Sequence, residues 1–276
     1  MIRLIVNIII FAGLVYGGFW LWNNNPTVRN FVQDKLETGK FLTLEEQFSS
    51  EQIMAANEQE LLKDESYTFL EPDLIFYPYL LMEVKYVASG DKTGEGMLLW
   101  GLDNGEMVID ATTWERSHGF EDAINSGASR NDFKLLNIIA KNRGTVTRET
   151  LANTLNIEGA ILDSWLDAAR KKQLIIRSGD GYRIHLNKPR LNVDPITKIN
   201  TWLVTKPFKG VNKMPRQYSK SQVENVCKAA FGESFAIRNV SEVFLPVYII
   251  RVMNPDGSVF TTYWNALNGK RIIDVF

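Results

Sequence analysis

The sequence predicts an α+β fold behind a single N-terminal transmembrane helix, on three observations. An uncharged apolar run opens the chain; two stretches, near residues 49–110 and 219–274, repeat one another; and between them the apolar spacing turns from helical to strand-like. With 276 residues, 45% of them hydrophobic, the chain is long enough to bury one or two cores. The expected order is an anchor at 1–25, a juxtamembrane linker at 26–48 and a first helix-plus-antiparallel-sheet unit at 49–128. An inserted domain at 129–186, a basic linker at 187–218 and a second helix-sheet unit at 219–276 follow.

The anchor comes first. From Leu4 to Trp22 no residue is charged and only Asn7 is strongly polar, a run of 19. About 20 helical residues cross a hydrocarbon core. Trp20 and Trp22 stand where an interfacial aromatic belt would lie. A cleaved signal peptide, with small-residue spacing at Val15 and Gly17, fits less well: its apolar region runs to about 15 residues, and bulky Phe19, Trp20 and Trp22 follow the candidate site. The protein is thus expected to be a single-pass membrane protein. Its orientation is open, because Arg3 precedes the run while Arg29 and Lys35 follow it. Gly13 and Gly17 form a G-x-x-x-G that would suit a homodimer of anchors, although glycine is frequent in membrane helices in any case.

The repeat is read next. WGLDNGEMVID, from 100 to 110, aligns without gaps on WNALNGKRIID, from 264 to 274. Upstream, YPYLLMEVKY (77–86) parallels LPVYIIRVMN (245–254), and SSEQI (49–53) parallels SKSQV (219–223). Each unit reads as a helix followed by about three strands. Runs rich in β-branched, aromatic and other apolar residues follow Pro78 and Pro246, which sit near strand starts where a missing amide costs little. The turn Asn254-Pro255-Asp256-Gly257 closes one hairpin, and Asn104-Gly105 and Asn268-Gly269 supply positive φ for another. The first copy is expected to carry a longer loop over residues 88–96. This layout, with its Trp-x-x-x-Asn-Gly strand pair, resembles membrane-associated modules of the PepSY type; the resemblance implies a non-catalytic unit that inhibits or binds partners. Matched positions bear opposite charges, Glu106 against Lys270 and Glu83 against Arg251. A symmetric pairing of the halves would bring these together, while two separate sheets would leave them solvated.

The inserted segment begins with a helix, NDFKLLNIIAKN, whose Phe133, Leu136, Ile139 and Ala140 recur at helical spacing and which Gly144 stops. Thr147 caps a second helix carrying Leu151, Ala152 and Leu155. Asn156 takes a left-handed turn, and Ile157, Leu162 and Trp165 complete the apolar set of a helix-turn-helix. LIIRS, the turn Gly179-Asp180-Gly181 and YRIHL then form a hairpin. Together these residues resemble the winged-helix family, which implies a second helix that DNA readers place in the major groove.

At the contact positions of that helix stand Glu158, Asp163 and Asp167. Three carboxylates facing phosphate favour a protein-docking role over base reading. Basic residues gather beside it, at Arg170, Lys171, Lys172, Arg177 and Arg183, and continue through Lys188, Arg190, Lys198, Lys206, Lys209, Lys213 and Arg216. These suit an anionic partner. Residues 31–128 carry net −14 and residues 129–220 net +11, so internal docking of the two blocks is the competing use. The expected function is a membrane-anchored, non-enzymatic interaction or assembly protein that docks a protein partner through the winged helix and the repeat sheets. The alternative is a membrane-tethered nucleic-acid-binding regulator using the basic surface. No cofactor, metal or catalytic residue is expected. No phosphate-loop, nucleophile-elbow or paired-cysteine motif occurs, and two histidines with Cys227 are too few for structural zinc. His118 near Glu115 and Asp122 reads as a loop residue, His185 as exposed, Cys227 as core, and Trp100 and Trp264 as core anchors.

Overall fold

A computed structural model describes residues 39–88, 92–142, 144–208 and 210–273, with Gly17 as an isolated further residue. The expected anchor and Gly13 lie outside the described residues. Among those described, no helix is long and apolar enough to cross a membrane.

The described chain begins with β1 (Lys40–Leu44), α1 (Ser50–Ala56), α2 (Glu58–Leu61), β2 (Thr68–Phe69), the long β3 (Asp73–Ala88), β4 (Lys92–Gly101), β5 (Met107–Asp110) and β6 (Glu115–Arg116). Next come α3 (Phe120–Asn125), α4 (Arg130–Lys141), β7 (Val146–Thr147), α5 (Arg148–Leu155), α6 (Gly159–Lys171) and the hairpin β8 (Ile175–Ser178) and β9 (Gly181–Ile184). The rest is β10 (Leu203–Pro207), β11 (Asn212–Lys213), α7 (Lys220–Phe231), β12 (Ala236–Met253), β13 (Val259–Asn265) and β14 (Arg271–Ile272). The fold is α+β.

The two repeats share one sheet, because β3 and β12 pair antiparallel from Phe76–Pro246 to Lys85–Ala236. Tyr77 lies opposite Leu245, and these are the very positions that the sequence repeat matches. A local two-fold axis therefore passes between them: Pro78 faces Phe244 and Pro246 faces Phe76. Both prolines sit where the long strands change partners, and their carbonyls accept from matched hairpin amides, Leu102 N to Pro78 O at 2.9 Å and Ala266 N to Pro246 O at 3.1 Å.

The helices are exchanged between the copies. Val223, Val226 and Cys227 of α7 pack in one cluster with Leu80, Met82, Val84 and Trp100 of the first copy. Ile53 of α1 packs with Tyr248, Ile250, Val252 and Trp264 of the second. Each helix of the repeat thus lies over strands of the other copy. The cause is local, since the segment leading into each helix adds in parallel to the other copy's long strand, Thr43 beside Phe244 and Lys213 beside Phe76. It then docks on the other copy's hairpin: Gln47 and Phe48 amides donate to Ala266 O, and Gln217 and Tyr218 amides to Leu102 O. Capping boxes, Ser49 with Gln52 and Ser219 with Gln222, start both helices.

Strands also lie in the segments expected as linkers. The juxtamembrane linker contains β1, and the basic linker contributes β10, which pairs with β1, and β11. The loop expected over 88–96 is largely strand, with Val84–Gly96 and Ala88–Lys92 in register. Its glycines allow this: a Cβ on Gly94 would lie 2.6 Å from the Tyr86 ring, and one on Gly96 2.8 Å from Ile196. No break separates the inserted unit from the first copy. Phe120 stacks edge-on against Trp100 with centroids 4.8 Å apart and meets Phe133 of α4 at 5.9 Å, so one core runs from sheet to inserted helices.

Candidate functional site

The inserted unit is built from α4, α5, α6 and a three-stranded sheet in the order β7-β9-β8. Thr147 caps α5 by accepting from Thr150 N at 3.2 Å, and Asn156, at φ 51° and ψ 50°, makes the left-handed turn into α6. Leu162, Leu166 and Ala169 bury one face of α6. The opposite face presents Ala160, Ile161, Asp163, Ser164, Asp167 and Ala168 to solvent; Ile161 is 45% exposed.

The three carboxylates on this helix differ. Glu158 is its exposed N-cap residue and makes no side-chain capping bond. Asp163 receives both Nε and Nη2 of Arg148, at 2.6 and 2.8 Å. That bidentate bond and the charge of Arg148 hold the Asp163 carboxyl below the usual carboxylate range. Asp167 takes a longer bond, 3.4 Å, from Arg170. Arg148 therefore belongs to this surface, although reading the sequence passed over it. The available signal was Gly159: a Cβ there would come within 2.6 Å of the Arg148 guanidinium, so the small residue leaves room for the arginine.

The basic residues do not form one patch. Lys172 donates to Gly127 O at 3.0 Å and to Asp132 Oδ2 at 2.6 Å. Asp132 is buried and closes the capping box of α4, so Lys172 ties α6 to α4 and is not free for a partner. On the hairpin, Ile176 pairs with Arg183 and Arg177 with Tyr182, which places Arg177 and Arg183 on opposite faces. Lys171, Arg177 and Arg183 remain exposed. Much of the basic linker is engaged internally: Arg190 with Glu115, Lys206 with Glu46, and Arg216 with Glu242 at 2.7 Å. The acidic block also meets Arg238 through Glu95, Arg251 through Asp73 and Arg271 through Glu60. The matched opposite charges do not meet one another.

A second feature lies on the sheet face opposite α7, beside the two-fold axis. A cavity of about 420 Å³ is lined by Tyr77, Tyr79, Asp103, Trp114 and Arg116 among others. A neighbouring one of about 240 Å³ runs between residues 113–118 and β14. The Tyr77 hydroxyl, Asp103 Oδ1 and Asn265 Nδ2 are buried without a hydrogen-bond partner among the described residues. Burial raises the Tyr77 and Tyr79 phenols well above their ordinary range and pushes Asp103 up to about 6. His118 lies at the rim, exposed, its backbone bridged to Arg190. The neighbouring Glu106 is buried and serves as a structural acceptor. Ser117 Oγ donates to it at 2.5 Å, and the Gly119 and Glu121 amides, at the start of α3, donate at 2.7 and 3.0 Å.

Among the described residues, no group of three or more His, Cys, Asp or Glu side chains could hold a metal ion. Comparison with known protein families, with curated proteins and with solved structures finds no match to this chain.

Proposed function

We propose that this protein is a membrane-anchored, non-enzymatic interaction or assembly component whose central unit is a winged helix that docks a protein partner through α6. The outer face of α6 carries this reading. From Glu158 to Ala169 it offers no Arg, Lys, Asn or Gln to a base edge, while Ile161 stands exposed amid Ala160, Ser164 and Ala168. A partly exposed aliphatic anchor ringed by small and acidic residues suits a protein surface and repels a phosphate-lined groove. The pairing of Asp163 and Asp167 reduces that repulsion, and Glu158 retains it. Lys171, Arg177 and Arg183 supply a cationic rim for acidic groups of the partner. The uncharged run from Leu4 to Trp22 supports the anchor.

Replacing Ile161 in the full chain with a photo-crosslinking amino acid tests the proposal. The expected result is a protein adduct at Ile161 that is absent when the same group replaces Asn225, an exposed position on α7. A nucleic-acid adduct at Ile161, or equal protein adducts at both positions, would overturn it.

A further inference from the structure

The two ends of the shared sheet are built alike and finished differently. In the first copy, β5 pairs with β4 through Leu99–Val108 and Trp100–Met107. Residues along a strand alternate in the direction of their backbone groups, so those of Met107 and Ile109 point away from β4. The bonds the structure gives them there come from two covering segments, one at Ser117 and one at Lys198. Met107 N donates to Ser117 Oγ at 2.8 Å, Met107 O accepts from Ser117 N at 2.8 Å, and Ile109 O accepts from Lys198 N at 2.9 Å.

In the second copy, β14 pairs with β13 through Tyr263–Ile272 and Trp264–Arg271. The hairpin geometry is the same: Asn265 N to Lys270 O is 2.9 Å, as Gly101 N to Glu106 O is, and the turn glycines have φ 67° and 69°. The position matching Met107 is Arg271, whose N–H and C=O point outward by the same alternation; the N–H of Ile273, which matches Ile109 and lies in a bend just past β14, follows it. Among the described residues nothing pairs with them, and β14 has β13 as its one strand neighbour. The smaller cavity runs along this edge, Asn265 brings an unpartnered amide to its lining, and Ile273 is 86% exposed.

We propose that β14 is a docking edge that accepts an extended, acidic segment of a partner protein by strand addition. Exposed edges with an outward row of amides and carbonyls recruit extended peptides in this way. The charge of the edge selects the partner: exposed Lys270 stands on the hairpin beside Arg271, which also reaches Glu60 at 3.6 Å, and Arg116 and His118 line the opposite wall. A second copy of this chain pairing edge to edge would set Lys270 and Arg271 against their own likeness, which like-charge pairing disfavours. This inference goes beyond the α6 surface and does not depend on it.

The test uses the full chain and two fluorescein-labelled hexapeptides, one alternating valine with glutamate and the other alternating valine with lysine, read by anisotropy. The glutamate peptide is expected to saturate and the lysine peptide not to. Ile273→Pro, which removes one outward amide, should weaken binding about tenfold or more with an unchanged melting temperature, while Ile273→Ala, which keeps the amide, should bind within about threefold of the parent. Lys270→Glu should also weaken the glutamate peptide. No saturation by about 1 mM peptide, equal binding of both peptides, or full binding by Ile273→Pro would overturn the proposal. The adduct at Ile161 is read separately, so failure here leaves the α6 reading standing.

Discussion

The two hairpins, residues 98–110 and 262–273, keep the same turn, the same tryptophan and the same turn-closing backbone bond, yet among the described residues one is covered along its edge and the other is not. The covered hairpin carries Glu106, which binds the start of α3 and draws the following chain over β5; at the matched position the uncovered one carries exposed Lys270. In the first hairpin this carboxylate ties the following chain to the turn.

Core anchors give the largest expected contrast. Trp100 donates its indole N–H to Gly105 O at 2.8 Å and joins the sheet to both α7 and the inserted helices. Trp264 faces the shorter α1 and donates to Thr262 Oγ1. Trp100→Ala should cost about 3–5 kcal/mol in urea denaturation, and Trp264→Ala at least about 1 kcal/mol less. Equal losses would show that the halves are energetically equivalent.

The turn residues give the next contrast. Glu106→Ala leaves Gly119 N, Glu121 N and Ser117 Oγ without their acceptor and should cost about 2–3 kcal/mol. Lys270→Ala, on the exposed partner position, should stay within about 0.5 kcal/mol. A third contrast is read by pH. Asp103, whose matched residue is buried Leu267, is pushed from 3.8 up to about 6 by desolvation. The folded carboxyl holds its proton more tightly than the unfolded one, so its contribution to stability is full below about pH 4 and is lost as pH rises to about 6. Asp103→Asn should flatten that slope and raise stability at pH 7 by roughly 1–2 kcal/mol, checked by denaturation at pH 4 and pH 7.

Much of this architecture could be read from the chain. The Asn-Gly turns, the capping serines and the spacing of Phe133, Leu136 and Ile139 announced the hairpins and helices, because local sequence specifies local geometry. The repeat located both halves. It did not reveal the exchange of α1 and α7, which depends on Thr43 and Lys213 joining strands about 200 and 137 residues away in the chain. For the basic run at 187–218 the charge tally offered an anionic partner or the acidic block, and periodicity could not show which carboxylates Arg190, Lys206 and Arg216 would each find. On α6, the acidic residues were visible, while the neutralisation of Asp163 by Arg148 required the turn at Asn156 to bring the two helices together. The uncovered edge at β14 was invisible for a related reason: the two hairpin sequences match, and what covers the first, Ser117 and the distant Lys198, lies outside the repeat.

The reading of α6 as a protein-facing helix is tested most directly by titrating the full chain against a labelled DNA duplex at low salt, beginning near 50 mM, where phosphate contacts are strongest. The account predicts no saturable binding. Saturable binding whose salt dependence weakens when Arg177 and Arg183 are replaced by alanine would contradict it and make the hairpin a nucleic-acid contact.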